Sequence, residues 1–292
     1  MPGNAGLGAR GATIFAICCS ETILRLKVTT WNINSVRIRL DLVGRAVDEI
    51  APDILCLQET KCTDGHFPLE ALRALGFPHV APVGQKGYNG VAILSRFPFA
   101  SVSPRSWCER DDARHLAVTL GPEAGAAAGL AIHDFYVPAG GDVPDPELNP
   151  KFRHKLQFLS EMRCWGPTRD RRPTILVGDL NVAPLEHDVW SHRQLLKIVS
   201  HTPVETEALE TLRGEGEWVD AARHLTPEPA KIYTWWSYRS PDWAAADKGR
   251  RLDHIWTSSD LAGCLRSVDV HRAARGWLRP SDHVPVTATL EL

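Results

Sequence analysis

The chain has 292 residues, of which 43% are hydrophobic and 23% charged, with a formal net charge of −2. This is the profile of a globular protein with ample core, and it excludes a bulk polycation. Any nucleic-acid binding must therefore come from a local basic face. The seven cysteines are scattered, with no CxxC pair and no disulfide-framework spacing, so a reducing cytoplasm is expected.

The first segment, Met1 to Ala12, is Gly/Ala-rich with Arg10 as its only charge, and an apolar stretch follows from Ala12 to Cys19. A single charge and the lack of an A-x-A site argue against a secretory leader. The stretch is also far short of the roughly 20 residues that cross a bilayer, and no other segment approaches that length. Residues 1–24 are read as a disordered extension and residues 25–292 as one domain. Leu26 to Thr30 reads as a strand, and Arg39 to Ile50 as an amphipathic helix stopped by Ala51-Pro52-Asp53. Ile54 to Leu57 is a second strand, with Cys56 as a small core residue, and Leu69 to Leu75 a second helix ended by Gly76. Gly90 to Ser95, Ala117 to Leu120 and Ala131 to Val137 read as strands, with Gly121 to Gly129 as a hairpin connection. Lys151 to Cys164 is an amphipathic helix with Phe152, Leu156, Leu159 and Met162 or Arg163 on one face. Thr174 to Val177 and Val284 to Leu290 complete the buried strands.

Four polar islands abut these apolar runs: Trp31 to Asn34, Gln58 to Thr60, Gly178 to Asn181, and Ser281 to His283. Acids and amides at strand ends, gathered from distant parts of a chain, are what a hard divalent metal and an activated water require. Each island also has a plainer reading. Glu59 alone is compatible with a solvated or salt-bridged acid. Gly178 permits a bend, after which Asp179 and Asn181 either face one way from an extended chain or close an Asx-type turn. Asp282-His283 alone reads as a turn with an exposed histidine. Asp253, flanked by apolar Leu252 and Ile255, is costly to bury unless paired, and His283 is a candidate partner.

In this order the motifs resemble the exonuclease III family of apurinic/apyrimidinic endonucleases, within the endonuclease/exonuclease/phosphatase superfamily. The likeness runs from Leu26 to Leu292 and adds Arg251-Leu252-Asp253 to the islands. Three further pieces, Gly84 to Ala92, Tyr136-Val137-Pro138 and Tyr233 to Arg239, separate this family from lipid and inositol phosphatases. The resemblance implies a four-layer αββα sandwich, two packed mixed or antiparallel sheets flanked by helices, with the site at one end.

It also implies roles. Glu59 matches the principal metal-ligand carboxylate, with Asn34 and Asp282 beside it and Asp179 and Asn181 within reach; Mg²⁺ is expected, with Mn²⁺ as a substitute. Asp179 matches the residue that deprotonates water, Asn181 the one that holds water or phosphate, and Asn32 the support of that cluster. His283, fixed by Asp253, matches the histidine on the scissile phosphate, and Tyr136 a tyrosine near the phosphate or leaving group. Trp235 matches the aromatic wall of a pocket for an extruded, base-free sugar, with Trp236 and Arg239 beside it. Lys61, Lys86, Arg37, Arg250 and Arg251 are possible phosphate contacts.

Departures from the family pattern are Ala139-Gly140-Gly141-Asp142 where relatives carry an amide or Arg, Arg250 at a position aromatic in some relatives, and the segment Asp188 to Gln194. The expected function is a metal-dependent DNA phosphodiesterase of base-excision repair. It would act as a monomer on duplex DNA at abasic sites or 3′ ends, as endonuclease, 3′→5′ exonuclease or end-cleaning enzyme. A phosphatase or phospholipase on a small phosphoester, and a catalytically silent DNA-binding relative, are the rivals.

Overall fold

The computed structural model describes residues 23–166 and 172–292, so the expected N-terminal extension lies almost wholly outside the described residues. In chain order the elements are β1 (Arg25–Asn32), α1 (Leu40–Ile50), β2 (Ile54–Gln58), α2 (Leu69–Ala74), β3 (His79–Val83), β4 (Val91–Ser95), β5 (Phe99–Pro104) and β6 (His115–Leu120). These continue as β7 (Ala131–Tyr136), α3 (Pro150–Trp165), β8 (Thr174–Asp179), α4 (His192–Leu195), α5 (Pro203–Glu215), β9 (Trp218–Asp220) and α6 (Ala221–Leu225). The remainder is β10 (Trp235–Trp236), α7 (Trp243–Ala246), β11 (Gly249–Arg250), β12 (Asp253–Ser258), β13 (Leu265–Val270) and β14 (Val286–Glu291).

Two six-stranded sheets result, ordered β13-β14-β1-β2-β4-β3 and β5-β6-β7-β8-β12-β9, with β10-β11 as a separate ribbon. Each sheet holds one parallel pair, β1 with β2 and β7 with β8, and its other neighbours run antiparallel. The central strands are apolar on both faces because both are covered. Ile54 and Cys56 of β2 pack between the sheets against Ile132, Ile175, Val177 and Ile255. Leu55 and Leu57 face the other way, toward Val43, Val47 and Leu72 of α1 and α2. On the far side Phe158, Leu159 and Met162 of α3 and Leu209 and Leu212 of α5 cover Phe135, Leu176 and Trp256. The order is helix, sheet, sheet, helix.

The buried face of α3 differs from its sequence reading. It comprises Phe152, His154, Lys155, Phe158, Leu159 and Met162, while Leu156 is only half-buried and Arg163 is exposed. A lysine takes a core position because it finds an anion there, Glu205, at 2.8 Å.

The two parallel pairs place the site. The C-terminal ends of β1, β2, β7 and β8 deliver Asn32, Glu59, Tyr136 and Asp179. Asp253, at the start of antiparallel β12, lies in register with Asp179, and the turn before β14 brings in His283.

Candidate active site

Asn32 joins the two halves. Its Nδ2 donates to Glu59 Oε1 at 2.9 Å and to Asp179 Oδ2 at 2.9 Å, so one amide bridges carboxylates from different sheets. Its Oδ1 accepts from the Asn34 backbone N–H, and the Ser281 hydroxyl donates to its carbonyl at 2.7 Å. The backbone is bent to present these groups: Asn34, Glu59, Lys61 and Asn181 all have φ between 48° and 54°, a region that side-chain-bearing residues occupy only when the surroundings enforce it.

Asp179 and Asn181 satisfy both sequence readings at once. Asp179 Oδ1 accepts the Asn181 backbone N–H at 3.0 Å, an Asx-type turn, while Asn181 Nδ2 donates to Asp179 Oδ2 at 3.1 Å and to the Val137 carbonyl at 2.9 Å. Gly178 is not at a bend. It lies inside β8 with φ 140°, and a Cβ there would stand 1.9 Å from the Phe135 carbonyl oxygen; close approach of β7 requires the glycine.

His283 is buried between two acids. Its Nδ1 is 2.8 Å from Asp253 Oδ2 and its Nε2 3.6 Å from Asp179 Oδ2. Burial opposes its protonation, but the Asp253 and Asp179 carboxylates override this and raise its pKa above the ordinary histidine value. The result is an imidazolium with a donor on each nitrogen. Burial raises the Asp179 carboxyl, against the pull of His283, which favours proton uptake at that oxygen. Burial and the Glu59 and Asp179 carboxylates raise the Tyr136 phenol, whose hydroxyl bonds Glu59 and stays protonated.

Glu59 and Asn34 could hold a cation. The Lys61 ammonium lies 2.7 Å from Glu59 Oε2 and 2.6 Å from Asn34 Oδ1. Both partners are hard oxygen donors of the kind that Mg²⁺ prefers. Asp282 flanks the pair: Oδ1 accepts from Asn34 Nδ2 at 3.2 Å and Oδ2 from Trp235 Nε1 at 3.0 Å. Asp179, Asp253 and His283 also bring ligand atoms within 4.8 Å of one another, but Asp253 and His283 are already bonded together. The Glu59–Asn34 oxygens are the better fit.

The expected DNA contacts divide. Trp235 is half-buried and forms an isolated β-bridge with His283. Lys86 and Arg239 are exposed, Arg250 half-buried. Trp236 is a correction: at 1% exposure it belongs to the core, packed edge-on to Tyr233 and Trp243 with Nε1 on Asp247. Successive residues of a short strand point to opposite faces, so only one of two adjacent tryptophans reaches the site. Arg251 is a second correction, also 1% exposed, because Asp188 and Asp220 hold it inside at 2.7–2.8 Å. Sequence reasoning also missed Lys155, whose Nζ donates to the Asn181 carbonyl at 2.7 Å. Arg114, whose guanidinium lies 4.7 Å over the Tyr136 ring, was missed too. Neither residue stands in a polar island.

Fold and site define the class: the chain belongs to the endonuclease/exonuclease/phosphatase family, whose model matches residues 29–283. Among characterised relatives it is 30% identical to the DNA repair nuclease APEX1 of Danio rerio, over 91% of this chain and 82% of that protein. It is 29% identical to exodeoxyribonuclease III of Haemophilus influenzae, over 90% of this chain and 99% of that protein. Among solved structures, the 3′ phosphatase NExo from Neisseria, bound to a product DNA hairpin, superposes with a TM-score of 0.82 at 32% identity. That match covers 91% of this chain and all of the neighbour.

Proposed function

We propose that this protein is a Mg²⁺-dependent DNA-repair phosphodiesterase of the exodeoxyribonuclease III type, acting as a cytoplasmic monomer on duplex DNA at abasic sites or 3′ ends. The observation that carries this reading is the Asn32 amide held between Glu59 and Asp179 at 2.9 Å each. One fixed amide thus stands between the Glu59 and Asp179 carboxylates, which supports a division of work in which one holds an ion and the other accepts a proton. The family relatives, a DNA repair nuclease and an exodeoxyribonuclease III, support DNA as the substrate.

Glu59 Oε2 and Asn34 Oδ1 would hold the ion, with Asp282 beside them. When bound, the ion supplies positive charge against the phosphoryl oxygens. Asp179, fixed by N–H donors on both oxygens, takes a proton from the attacking water. Asn181 restrains Asp179 and the adjacent turn. His283, oriented by Asp253, donates from Nε2 to a phosphoryl oxygen and stabilises the charge that develops there. Water forms the new bond to phosphorus as the P–O3′ bond breaks, and the 3′ oxygen takes a proton from solvent to leave as a hydroxyl, while Asp179 returns its proton to solvent.

The test is incubation with an abasic-site duplex, a recessed duplex and a phosphoinositide, each with Mg²⁺ and with EDTA. Cleavage of DNA that EDTA abolishes is the expected result. EDTA-resistant cleavage, or turnover of the lipid alone, overturns the reading.

A further inference from the structure

The space between the sheets is apolar along most of its length, but one layer of it is polar. Thr30 of β1, Gln58 of β2 and Asp134 of β7 are all fully buried. Each stands two residues past an apolar neighbour on the same strand face, Val28, Cys56 and Ile132. Gln58 Nε2 donates to Asp134 Oδ1 at 2.6 Å and to Thr30 Oγ1 at 2.9 Å, so one amide ties the two sheets together. The other oxygen of each group, Asp134 Oδ2 and Gln58 Oε1, is buried with no donor to meet it.

An ionised carboxylate does not suit this place. No cation among the described residues pairs with Asp134, whose bonds come from the Gln58 amide and the Ala92 backbone N–H, both neutral. A buried charge without a counter-ion is costly, and the group takes up a proton instead. Burial raises the Asp134 carboxyl well above the ordinary carboxylate value, against the pull of those two donors. A proton on Oδ2 supplies the one donor that both orphaned oxygens lack. Acid and amide then close a ring of two hydrogen bonds, Nε2–H to Oδ1 and Oδ2–H to Oε1.

This layer lies one step below the site along both strands. Gln58 is the last residue of β2, and Glu59 leaves the strand with φ 53°, a backbone state that its surroundings must hold. Asp134 stands two residues before Tyr136, whose hydroxyl bonds Glu59. The same two strands are therefore clasped twice in succession, Asp134 to Gln58 and Tyr136 to Glu59. We propose that Asp134 is an un-ionised positioning residue, its carboxylic acid paired with the Gln58 amide by two hydrogen bonds so that the end of β2 presents Glu59 to the ion. This rests on the reading of Glu59 as an ion-holding carboxylate.

Two measurements test the pair and its role. The first is urea unfolding of the full chain and of Asp134→Asn, whose amide offers the same donor and acceptor without a titrating proton. An acid protonated when folded, and ionised when unfolded above its ordinary value of about 3.9, loses stability as pH rises. Between about pH 5 and 7 the wild-type unfolding constant should climb about tenfold per pH unit more steeply than that of the variant. Around Asp134, β6 and β8 place Leu116 and Val177 beside it, while β1 and β4 offer Thr30 and the Ala92 backbone. The Cys56 thiol on β2 and the Tyr136 phenol on β7 are both pushed up by burial and stay neutral in this range. Titrations of the site acids and His283 are common to both proteins and cancel in the difference. Equal slopes would overturn the un-ionised acid.

The second is Mg²⁺ binding by calorimetry, read beside turnover of an abasic-site duplex. Asp134→Leu, which strands the Gln58 amide, should weaken Mg²⁺ binding by about tenfold or more, with kcat at saturating Mg²⁺ much less affected. Asp134→Asn should bind Mg²⁺ like the wild type. Gln58→Met, which removes the amide at nearly constant volume, should show the same loss and serves where Asp134→Leu folds poorly. Undiminished Mg²⁺ affinity in these apolar variants, or an equal loss in Asp134→Asn, would overturn the positioning role. A wild-type chain that binds no Mg²⁺ overturns the ion-holding reading itself, a result on which the pH slopes do not depend.

Discussion

Lys155 and Glu205 face each other at 2.8 Å with neither side chain reaching solvent. Lys155 also donates to the Asn181 carbonyl at 2.7 Å, while Glu205 accepts from Ser200 N at 2.7 Å and Thr202 N at 3.3 Å. One interior ion pair thus ties α3 to the turn bearing Asn181 and to the loop that holds Arg250. Lys155→Met should strand the Glu205 charge and cost about 3–5 kcal/mol of stability, whereas Lys155→Met with Glu205→Leu should recover most of it. Urea unfolding checks this. A single-variant loss below about 1 kcal/mol would contradict the assignment.

The second buried network sets an acid limit. Asp188 meets Arg251 at 2.8 Å and Arg223 more closely still. Burial opposes its charged form, but the two guanidinium groups hold the carboxyl below its ordinary value. Its folded pKa is depressed, so its stabilisation is complete above the unfolded value of about 3.9 and is lost as pH falls through the lower folded value. Wild-type urea midpoints should drop steeply below about pH 4, and Asp188→Asn, already less stable, should lose less over that window. Parallel curves for the two proteins would sink this account.

For the chemistry, Asp179→Asn removes the proton acceptor yet leaves an oxygen for the Asn181 N–H. Its kcat should fall by about 10²–10⁴-fold. His283→Ala should lose turnover on a similar scale. Fluorescence anisotropy on an uncleaved duplex should still report binding by both. Near-normal turnover in either variant would remove that residue from its role.

The two adjacent tryptophans should part company in experiment. Trp236→Ala opens a cavity in a packed cluster and should cost about 3–5 kcal/mol of stability. Trp235→Ala, at a half-buried position, should cost less stability and chiefly change activity on DNA ends. Thermal melts and kcat/KM measured side by side test the pair. Equal destabilisation by both would mean that the ribbon does not sort them.

Much of this was legible in the sequence because the central strands are apolar on both faces and end abruptly in polar residues. Leu26 to Thr30, Ile54 to Leu57 and Thr174 to Val177 all lie within observed strands, while Val284 to Leu290 begins two residues before β14. The edge strands were not legible. β5 is mostly exposed, β3 contains Pro82 at a sheet edge where no partner needs its missing N–H, and β9 spans only Trp218–Asp220. α5 carried a readable sign that went unused, since Thr202-Pro203-Val204-Glu205 is a capping box. Strand register brings Asn32 beside Glu59 and Asp253 beside Asp179, whereas the pairings of Asn32 with Asp179 and of Asp253 with His283 come from packing one sheet on the other. That Arg251 and Lys155 point inward does not follow from register, because a cation's direction is decided by an acid distant in sequence.

The location of β14 has a consequence for the order in which the protein becomes competent. This strand lies between β13 and β1, deep in the first sheet, and the turn before it carries Asp282 and His283. During synthesis β1 must wait, with one edge unpaired, while more than two hundred intervening residues emerge. Asn32, Glu59, Tyr136 and Asp179 come from earlier strands, whereas Ser281, Asp282 and His283 arrive together in that turn. A partly made or C-terminally clipped chain would lack Asp282 and His283 together with the strand that joins β13 to β1. Chain order itself delays hydrolytic competence until the last strand is inserted.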